Sequence, residues 1–308
     1  MSADPAVSII MPTLATADRA DSLRRALRSV REQEGVRAEP IVVVNGSAAD
    51  HRLLVGLRRD PTLRLIELEE AGVRPALMAG RRAVTTPWFG ALDDDDLLLP
   101  GALAKRVETL AADPALVTVV TNGYKRTRHG QEEAFARPDR IRSDPLDALL
   151  EGNWLLPGSW LCRTDSVPAE LFAEMPNYLE CTYLAIRFTL RGGLAILDTP
   201  TVVWNALGGI SRSAPYLLGQ PAALEQILAL ELPEPFRRGL EQHLTAAHHT
   251  VAEAHRVEGR PRAAWRAHLR SLGRPGGWRY FLATRHLVSA TLFPRRPAVA
   301  SSRADQVT

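Results

Sequence analysis

The amino-acid sequence predicts an α/β fold, in which a doubly wound and mostly parallel sheet carries helices on both faces and is followed by a C-terminal helical appendix. Two observations carry this prediction. Before residue 121, short apolar runs rich in β-branched residues alternate with amphipathic helical patterns, which is typical of βαβ units. From Gln220 onward, apolar residues recur only at helical spacing.

The predicted strands of the sheet are nearly continuous apolar runs, the kind that is buried on both faces. They are VSIIM at 7–11, PIVVV at 40–44, LRLIEL at 63–68, WFGAL at 88–92 and LVTVV at 116–120. A helix is predicted after Asp21, its expected N-cap, and another after Pro100, because apolar residues follow each at helical spacing. The arginine-rich stretch 124–144 has little apolar periodicity and is predicted to be a surface excursion.

The second half of the chain completes the sheet and then becomes helical. Strands are predicted at 160–163, 195–197 and 202–204, and helices at 180–191, 220–232, 240–255 and 263–272. We therefore divide the chain into an α/β domain at 1–215, the appendix at 216–293, and a polar tail at 294–308 that is expected to be disordered.

Composition excludes several classes of protein. The 308 residues are 45% hydrophobic and 24% charged, which fits a globular protein. The two cysteines, Cys162 and Cys181, have no CxxC companion, which argues against a disulfide scaffold or a zinc finger and favours the cytoplasm. The net charge of +3 comes without an RNA-binding aromatic signature, so no nucleic-acid partner is expected. Neither a signal peptide nor a transmembrane helix is expected, because no long uncharged apolar run is found.

Polar residues follow two of the predicted strands, at the sheet edge where ligands of doubly wound folds collect. Asn45 begins an Asn-Gly-Ser sequence after PIVVV, which is either part of a ligand site or an ordinary turn. Four aspartates, Asp93 to Asp96, follow WFGAL. Their mutual repulsion favours a bound divalent cation such as Mg²⁺ or Mn²⁺, although acids also cap helices, and Asp96 is expected to cap the next one.

These segments resemble the family 2 glycosyltransferases with the GT-A (Rossmann-like) fold. The similarity runs over residues 6–211 and is carried by VSIIMPTLATADRADSLRRALRSVREQ, IVVVNGS and FGALDDDDLLLPGAL. The family motif after the central strand is a leucine, Asp-x-Asp-Asp, three residues and a proline. Here it is Leu92, the aspartates at 93–96, and Pro100.

The resemblance implies roles for residues at the strand ends. It makes Asp93 and Asp95 the metal ligands. The residues that it places against the nucleotide are Pro12, Thr13, Arg19, Asn45 and Asp94. Asn45 stands where the family usually has an aspartate that contacts the base, which leaves the base open because an amide both donates and accepts. Arg81 is either a phosphate contact or a solvated helix residue.

The acceptor side is implied by two further segments. Residues 158–163 resemble the acceptor-side strand, and Trp160 is expected to stack on a sugar face. Residues 179–187 resemble the helix that begins with a Glu-Asp pair, but the second acid falls on Cys181, whose protonated thiol is a poor base. Glu180 is therefore expected to be the general base, or else only a helix cap. The usual histidine after the last strand is missing, and Ser211 and Arg212 are expected to close over the pyrophosphate instead.

The predicted function is metal-dependent glycosyl transfer, with Mn²⁺ or Mg²⁺, from a UDP-, dTDP- or GDP-sugar to a hydroxyl acceptor, with inversion and in the cytoplasm. One alternative is a non-catalytic GT-A-like module that binds a nucleotide sugar, which the change to Cys181 favours. Another is a sugar-1-phosphate nucleotidyltransferase, but MPTLATADR after the first strand lacks the glycines of its phosphate loop.

The appendix combines arginines with aromatic and aliphatic residues. The arginines are Arg266, Arg270, Arg274, Arg279 and Arg285, and the apolar residues include Trp265, Trp278, Tyr280, Phe281, Leu282, Leu287 and Phe293. This composition indicates either contact with an anionic membrane surface or packing of the aromatics against the rest of the chain. His248 and His255 have no acid at ligand spacing and are expected to be core or exposed residues rather than a metal site.

Overall fold

A computed structural model describes residues 4–135, 137–207 and 213–292. The chain divides into two compact units, Met1–Ile210 and Ser211–Thr308. The expected contact of Ser211 and Arg212 with a pyrophosphate, and the predicted tail at 294–308, lie outside the described residues.

The first unit is built on a nine-stranded sheet, counted over the described residues. Its strands are β1 Ala6–Thr13, β2 Arg37–Asn45, β3 Arg64–Leu68, β4 Trp88–Ala91, β5 Leu97–Leu98, β6 Thr118–Thr127, β7 Gly130–Glu133, β8 Trp160–Arg163 and β9 Leu194–Asn205. The order is β3-β2-β1-β4-β8-β6-β9-β5, with β7 paired to β6. Strands β1 to β4 run parallel, and β8 enters antiparallel between β4 and β6.

The helices of the first unit are amphipathic segments between these strands. They are α1 Ala20–Arg31, α2 His51–Arg58, α3 Val73–Ala83, α4 Ala102–Ala112, α5 Pro138–Ser143, α6 Pro145–Glu151 and α7 Glu180–Arg191. Because side chains alternate along β1, Ile9 joins the core cluster beneath α1 and α4, while Ile10 meets α3 on the opposite face. This arrangement confirms the α/β fold with helices on both faces.

Gly80 sets how closely α3 approaches the sheet. A Cβ atom at this position would lie 2.3 Å from Cγ2 of Ile10, a separation that no real contact allows. The missing side chain therefore lets the α3 backbone lie directly on β1, and β1 carries the first loop of the candidate site.

Three local predictions need correction. Asp21 is in the first turn of α1 and pairs with Arg24 at 2.6 Å, so it is not the N-cap. The stretch 124–144 is not an irregular excursion, because β6 continues to Thr127, turns into β7 and is followed by α5. The two strands predicted at 195–204 are one strand, β9, whose pairing with β6 shifts register beside Asn122.

The second unit is helical in its described part. It contains α8 Ala214–Leu228, α9 Glu234–Val257, α10 Pro261–Leu272, a 3₁₀ segment at Gly277–Ala283 and α11 Thr284–Leu292. Val251 and Ala252 of α9 pack against Ala267 of α10. His248 is buried, with Nε2 3.8 Å from a carboxylate oxygen of Glu225. None of the helices in the described ranges combines the length and hydropathy needed to cross a membrane.

Candidate active site

The loop after β1 is tied to the aspartate motif by a hydrogen-bonded clamp of Thr13, Arg19 and Asp94. The Thr13 hydroxyl donates to Oδ2 of Asp94 at 2.6 Å and accepts the backbone N–H of Ala15 at 2.9 Å. The Arg19 guanidinium pairs with the other oxygen, Oδ1, of Asp94. Both carboxylate oxygens of Asp94 are therefore held by the loop, 75 to 81 residues away in sequence.

Arg19 reaches beyond Asp94 toward the next acid. Its Nη1 lies 4.0 Å from Oδ2 of Asp95. Burial opposes the guanidinium charge, but the attraction of Asp94 and Asp95 outweighs it, so the pKa of Arg19 is raised. Arg19 thus stays charged beside these two acids.

Asp93, Asp95 and Asp96 are acids of the motif whose charged forms the protein disfavours, since the pKa of each is raised. Burial, together with Asp95, Asp94 and Glu180, raises the pKa of Asp93 to about 7, against a smaller opposing effect of Arg19. Burial and Asp94 likewise raise the pKa of Asp95. A positive charge placed beside Asp93 and Asp95 would remove the repulsion between them.

The chemistry of Asp93 and Asp95 fits a divalent cation that is shared with a substrate. Mg²⁺ is commonly held by one or two carboxylates, with phosphate oxygens and water completing its shell. Within the described residues, no three His, Cys, Asp or Glu side chains are grouped to hold a metal ion by themselves. A cation held by Asp93 and Asp95 would complete its shell with oxygens from water or from a ligand.

Asp96 has a different role from the expected helix cap. It is fully buried, and its Oδ1 accepts the backbone N–H of Asn205 at the end of β9 at 2.8 Å. Leu97 and Leu98 form β5, so α4 begins only at Ala102, with Gly101 in the N-cap position. The predicted cap is wrong because this short strand separates the acid from the helix. Asp96 instead joins the aspartate motif to β9.

Glu180 begins α7 beside the aspartate motif, where sequence reasoning places the base. Its Oε1 accepts the backbone N–H of Tyr178 at 3.0 Å, and the charge of Glu180 contributes to the raised pKa of Asp93. Burial raises the pKa of Glu180 itself. A carboxylate with a raised pKa is a better proton acceptor than an exposed one, so the position suits general-base chemistry.

Cys181, next to Glu180, remains a thiol. Burial, followed by the charges of Asp93 and Glu180, raises its pKa well above the ordinary value. A group that is protonated throughout the physiological range does not accept a proton from an acceptor hydroxyl. The carboxyl of Glu180 is therefore the proton acceptor that α7 offers to this site.

Backbone strain is concentrated around the same groups. Among the described residues, the non-glycine residues with positive φ are Ala15, Tyr178 and Leu179, at 49°, 71° and 58°. Ala15 follows Thr13 in the clamp loop, and the other two precede Glu180. Such conformations cost about 1 to 3 kcal/mol each and persist where their surroundings enforce them. Motif spacing gives no signal for this turn.

The Asn45 side chain links the end of β1 to the start of α3. Its Nδ2 donates to the carbonyls of Thr13 at 3.0 Å and Val43 at 3.3 Å. Its Oδ1 accepts the N–H of Gly72 at 2.8 Å. The side chain is buried and its amide is bonded within the protein, and the predicted contact with a base stays a prediction. Pro12 is likewise buried in β1, where it lies opposite Val43 of β2.

Arg81 and Trp160 also have roles other than those predicted. Nε of Arg81 donates to the carbonyl of Val167 at 2.7 Å, and its guanidinium also bonds to the carbonyl of Thr164. These bonds hold the guanidinium within the protein, which neither of the two predicted roles includes. Trp160 is 2% exposed and packs against Phe172 and Phe188, so it has no free face for a sugar. Trp160 is a core residue, whereas Arg81 is half-buried.

Comparison with known proteins finds a family match over part of the chain. Residues 8–153 match the profile of glycosyl transferase family 2. This segment belongs to glycosyl transferase family 2. It contains the clamp loop and all four aspartates of the motif, while Glu180 lies beyond it.

A curated relative agrees with the family match of this segment. The succinoglycan biosynthesis protein ExoO of Rhizobium meliloti (strain 1021) is 36% identical over 148 residues, which are 46% of this chain and 42% of that protein. The chain thus spans less than half the length of that curated relative.

Solved structures show the same fold. S. aureus TarS 1–349 in complex with UDP matches with a TM-score of 0.57 at 13% identity, and the match covers 96% of this chain and 94% of the TarS chain. The complex of TarS 1–349 with UDP-GlcNAc has a TM-score of 0.54 at 14% identity, over 83% of this chain and 75% of its own. At these identities the likeness concerns the fold, which is the predicted GT-A fold.

Proposed function

We propose that this protein transfers a sugar from a nucleotide-diphosphate sugar to a hydroxyl acceptor. One observation carries the proposal: Glu180 and the aspartates at 93–95 lie in one electrostatic cluster with Arg19, on a family 2 scaffold. This cluster combines a cation for phosphate, acids for a metal and a carboxyl for proton transfer. UDP-sugars are the first donors to test, because a protein with the same fold binds UDP and UDP-GlcNAc; dTDP- and GDP-sugars are the other candidates.

Asp93 and Asp95 would hold Mn²⁺ or Mg²⁺. When bound, the cation supplies charge neutralisation for the departing diphosphate. The Thr13 and Arg19 clamp holds Asp94 away from this role, because both its oxygens are already bonded. Arg19, half-buried and charged, would complete the anion-binding side of the site.

Glu180 would act on the acceptor. As the hydroxyl oxygen forms its bond to the anomeric carbon, Glu180 takes the hydroxyl proton, and the bond from that carbon to the diphosphate oxygen breaks with its electron pair leaving on the diphosphate. Attack on the face opposite the leaving group gives inversion. The raised pKa of Glu180 supports this assignment, because it brings the carboxyl closer to the pKa range of an effective base.

The cytoplasm is the proposed location, since Cys162 and Cys181 are both free thiols. Contact with a membrane surface is a separate proposal that rests on residues of the second unit.

Hydrolysis of nucleotide sugars tests the proposed activity. The full chain, incubated with UDP-, dTDP- and GDP-sugars, is expected to release the nucleoside diphosphate from one donor in Mn²⁺ and not in EDTA. Asp95→Asn is expected to lose most of this release, whereas Asp113→Asn, an exposed acid after α4, is a matched control expected to keep it. Binding of a nucleotide sugar without release or transfer to any acceptor would favour a non-catalytic module instead.

A further inference from the structure

The segment from Gly259 to Leu292 is basic throughout. It contains seven arginines, at 260, 262, 266, 270, 274, 279 and 285, and no aspartate or glutamate. Only Arg260 and Arg274 form ion pairs with acids in the described part of the chain, with Glu258 and Glu225. The remaining five arginines leave a positive charge that the protein itself does not neutralise.

The same segment exposes large apolar side chains. Trp278 is 76% exposed, Leu282 73% and Phe281 66%, and Leu292 and Val288 are also exposed. Phe281, Leu282, Val288 and Leu292 line one groove with Arg285. We call these residues, with Trp278 and Arg279, the basic apolar face. A contiguous apolar surface of this kind marks an interaction site in proteins that are otherwise soluble in water.

Hydrogen bonds on another side of α11 fix the orientation of this helix and so keep the basic apolar face exposed. Leu287 is buried, His268 Nε2 lies 2.8 Å from Oγ1 of Thr284, and Trp265 donates to Oγ1 of Thr291 at 3.0 Å. Residues 284, 287 and 291 therefore share the inner side of the helix, while 285, 288 and 292 share the outer side. The apolar residues of the outer side cannot be buried by turning this helix without breaking those contacts.

The positive charge of the basic apolar face favours a negatively charged binding partner. A second copy of the chain would bring another arginine-rich surface against the first, and residues 293–308 carry Arg295, Arg296 and Arg303 against a single acid, Asp305. Both have the same sign as the face and are repelled by it. An anionic bilayer offers phosphate groups to the arginines and an apolar interior to Phe281 and Leu282.

We infer that the basic apolar face binds the surface of an anionic lipid bilayer, with Trp278, Phe281 and Leu282 inserted at the interface and Arg279 and Arg285 at the phosphates. This binding is independent of the proposed glycosyl transfer and uses residues outside the candidate active site.

Co-sedimentation of the full chain with vesicles tests the inference. Binding is expected to phosphatidylcholine vesicles that contain phosphatidylglycerol at a ratio of about 7 to 3, and not to pure phosphatidylcholine. It should weaken when salt rises from about 0.05 to about 0.5 M. R279Q/R285Q is expected to weaken binding about tenfold, whereas R25Q/R28Q, which removes equal charge from the exposed side of α1, should leave binding almost unchanged. Equal loss in both double variants would show non-specific charge attraction and overturn the inference.

Tryptophan fluorescence gives a second readout that depends on insertion. Trp278 is the strongly exposed tryptophan of the described residues, so brominated anionic lipids are expected to quench the native chain, while W278F should lose most of that quenching. The double variant F281S/L282S should bind weakly, with L190A, an exposed apolar residue of α7, as control. Unquenched fluorescence in bound protein, or a dimer that dissociates in F281S/L282S, would overturn the inference. Nucleotide binding measured in the same variants separates this outcome from failure of the proposed function.

Discussion

At the scale of single residues, the site contains acids whose pKa values are raised, so they keep their protons at higher pH than exposed acids do. Asp93 and Glu180 each raise the pKa of nearby groups, and burial acts in the same direction on both. Arg19 is the cation that opposes these effects. The proposed cation at Asp93 and Asp95 would compete with protons for these carboxyls, which gives two residue-scale predictions.

Replacing Glu180 with glutamine is expected to lower sugar transfer by about 10² to 10⁴ while UDP binding is retained, because the amide keeps the size and accepting oxygen but takes no proton. Transfer rates and calorimetric UDP titration measure the two effects. Glu174→Gln changes an exposed glutamate that lies near Arg187 and serves as the control. If the Glu180 variant transfers sugar at the native rate, another group is the base.

The pH dependence of stability should report on Asp93. Its folded pKa of about 7 lies above the ordinary aspartate value of 3.8, so between these values the folded protein holds a proton that the unfolded chain has lost. Asp93 therefore favours folding at low pH, and this contribution decreases as pH rises from about 4 to about 7. We expect native protein without metal to lose stability relative to Asp93→Asn across this window, measured by urea denaturation.

Added Mn²⁺ and UDP should reverse that loss above pH 7, because the cation replaces the proton at Asp93. A difference between native and Asp93→Asn protein that does not change with pH would contradict the assignment.

At the scale of elements, the site depends on how closely α3 lies on β1. Strand β1 delivers Thr13 to the clamp, and Gly80 allows α3 to approach Ile10 from behind. The position of the clamp therefore depends on a contact between a helix and the middle of a strand. This contact gives a prediction about stability and not about chemistry.

Gly80→Ala is expected to lower the free energy of unfolding by about 1 to 3 kcal/mol, because the added methyl must displace Ile10 or lift α3. Gly56→Ala in α2 is the matched control. A Cβ there meets no atom within 4 Å, so the substitution should stabilise the helix by up to about 1 kcal/mol. Denaturant unfolding of both variants measures the difference, and equal stability of the two would show that α3 yields at no cost.

At the scale of the whole molecule, the residues of the proposed donor site lie within the first unit and the basic apolar face within the second. UDP with Mn²⁺ at about a hundred times its dissociation constant should add about 2.7 kcal/mol to the stability of the folded state. Thermal unfolding of the full chain with UDP alone, with Mn²⁺ alone and with both measures this gain, which should need both. An equal shift in Asp95→Asn would place the ligand elsewhere.

The sequence predicted the central strands, α7 and the aspartate motif, because buried apolar runs and a cluster of like charges are local features. It did not predict the roles of Arg81, Asn45 or Trp160. Arg81 donates to a carbonyl 86 residues away, and Asn45 accepts a backbone N–H 27 residues away, so their partners depend on tertiary structure. Trp160 was misassigned because a tryptophan in a four-residue strand looks the same whether its ring is buried or exposed.

The left-handed turn at Tyr178 and Leu179 also affects attempts to raise the thermal stability of the protein. Glycine adopts these angles freely, so a search for stabilising substitutions would select both positions. The same change would loosen the N–H of Tyr178 that holds Glu180. A variant with a higher melting temperature obtained this way would hold the Glu180 carboxyl less firmly. A screen that measures only melting temperature would not detect this loss.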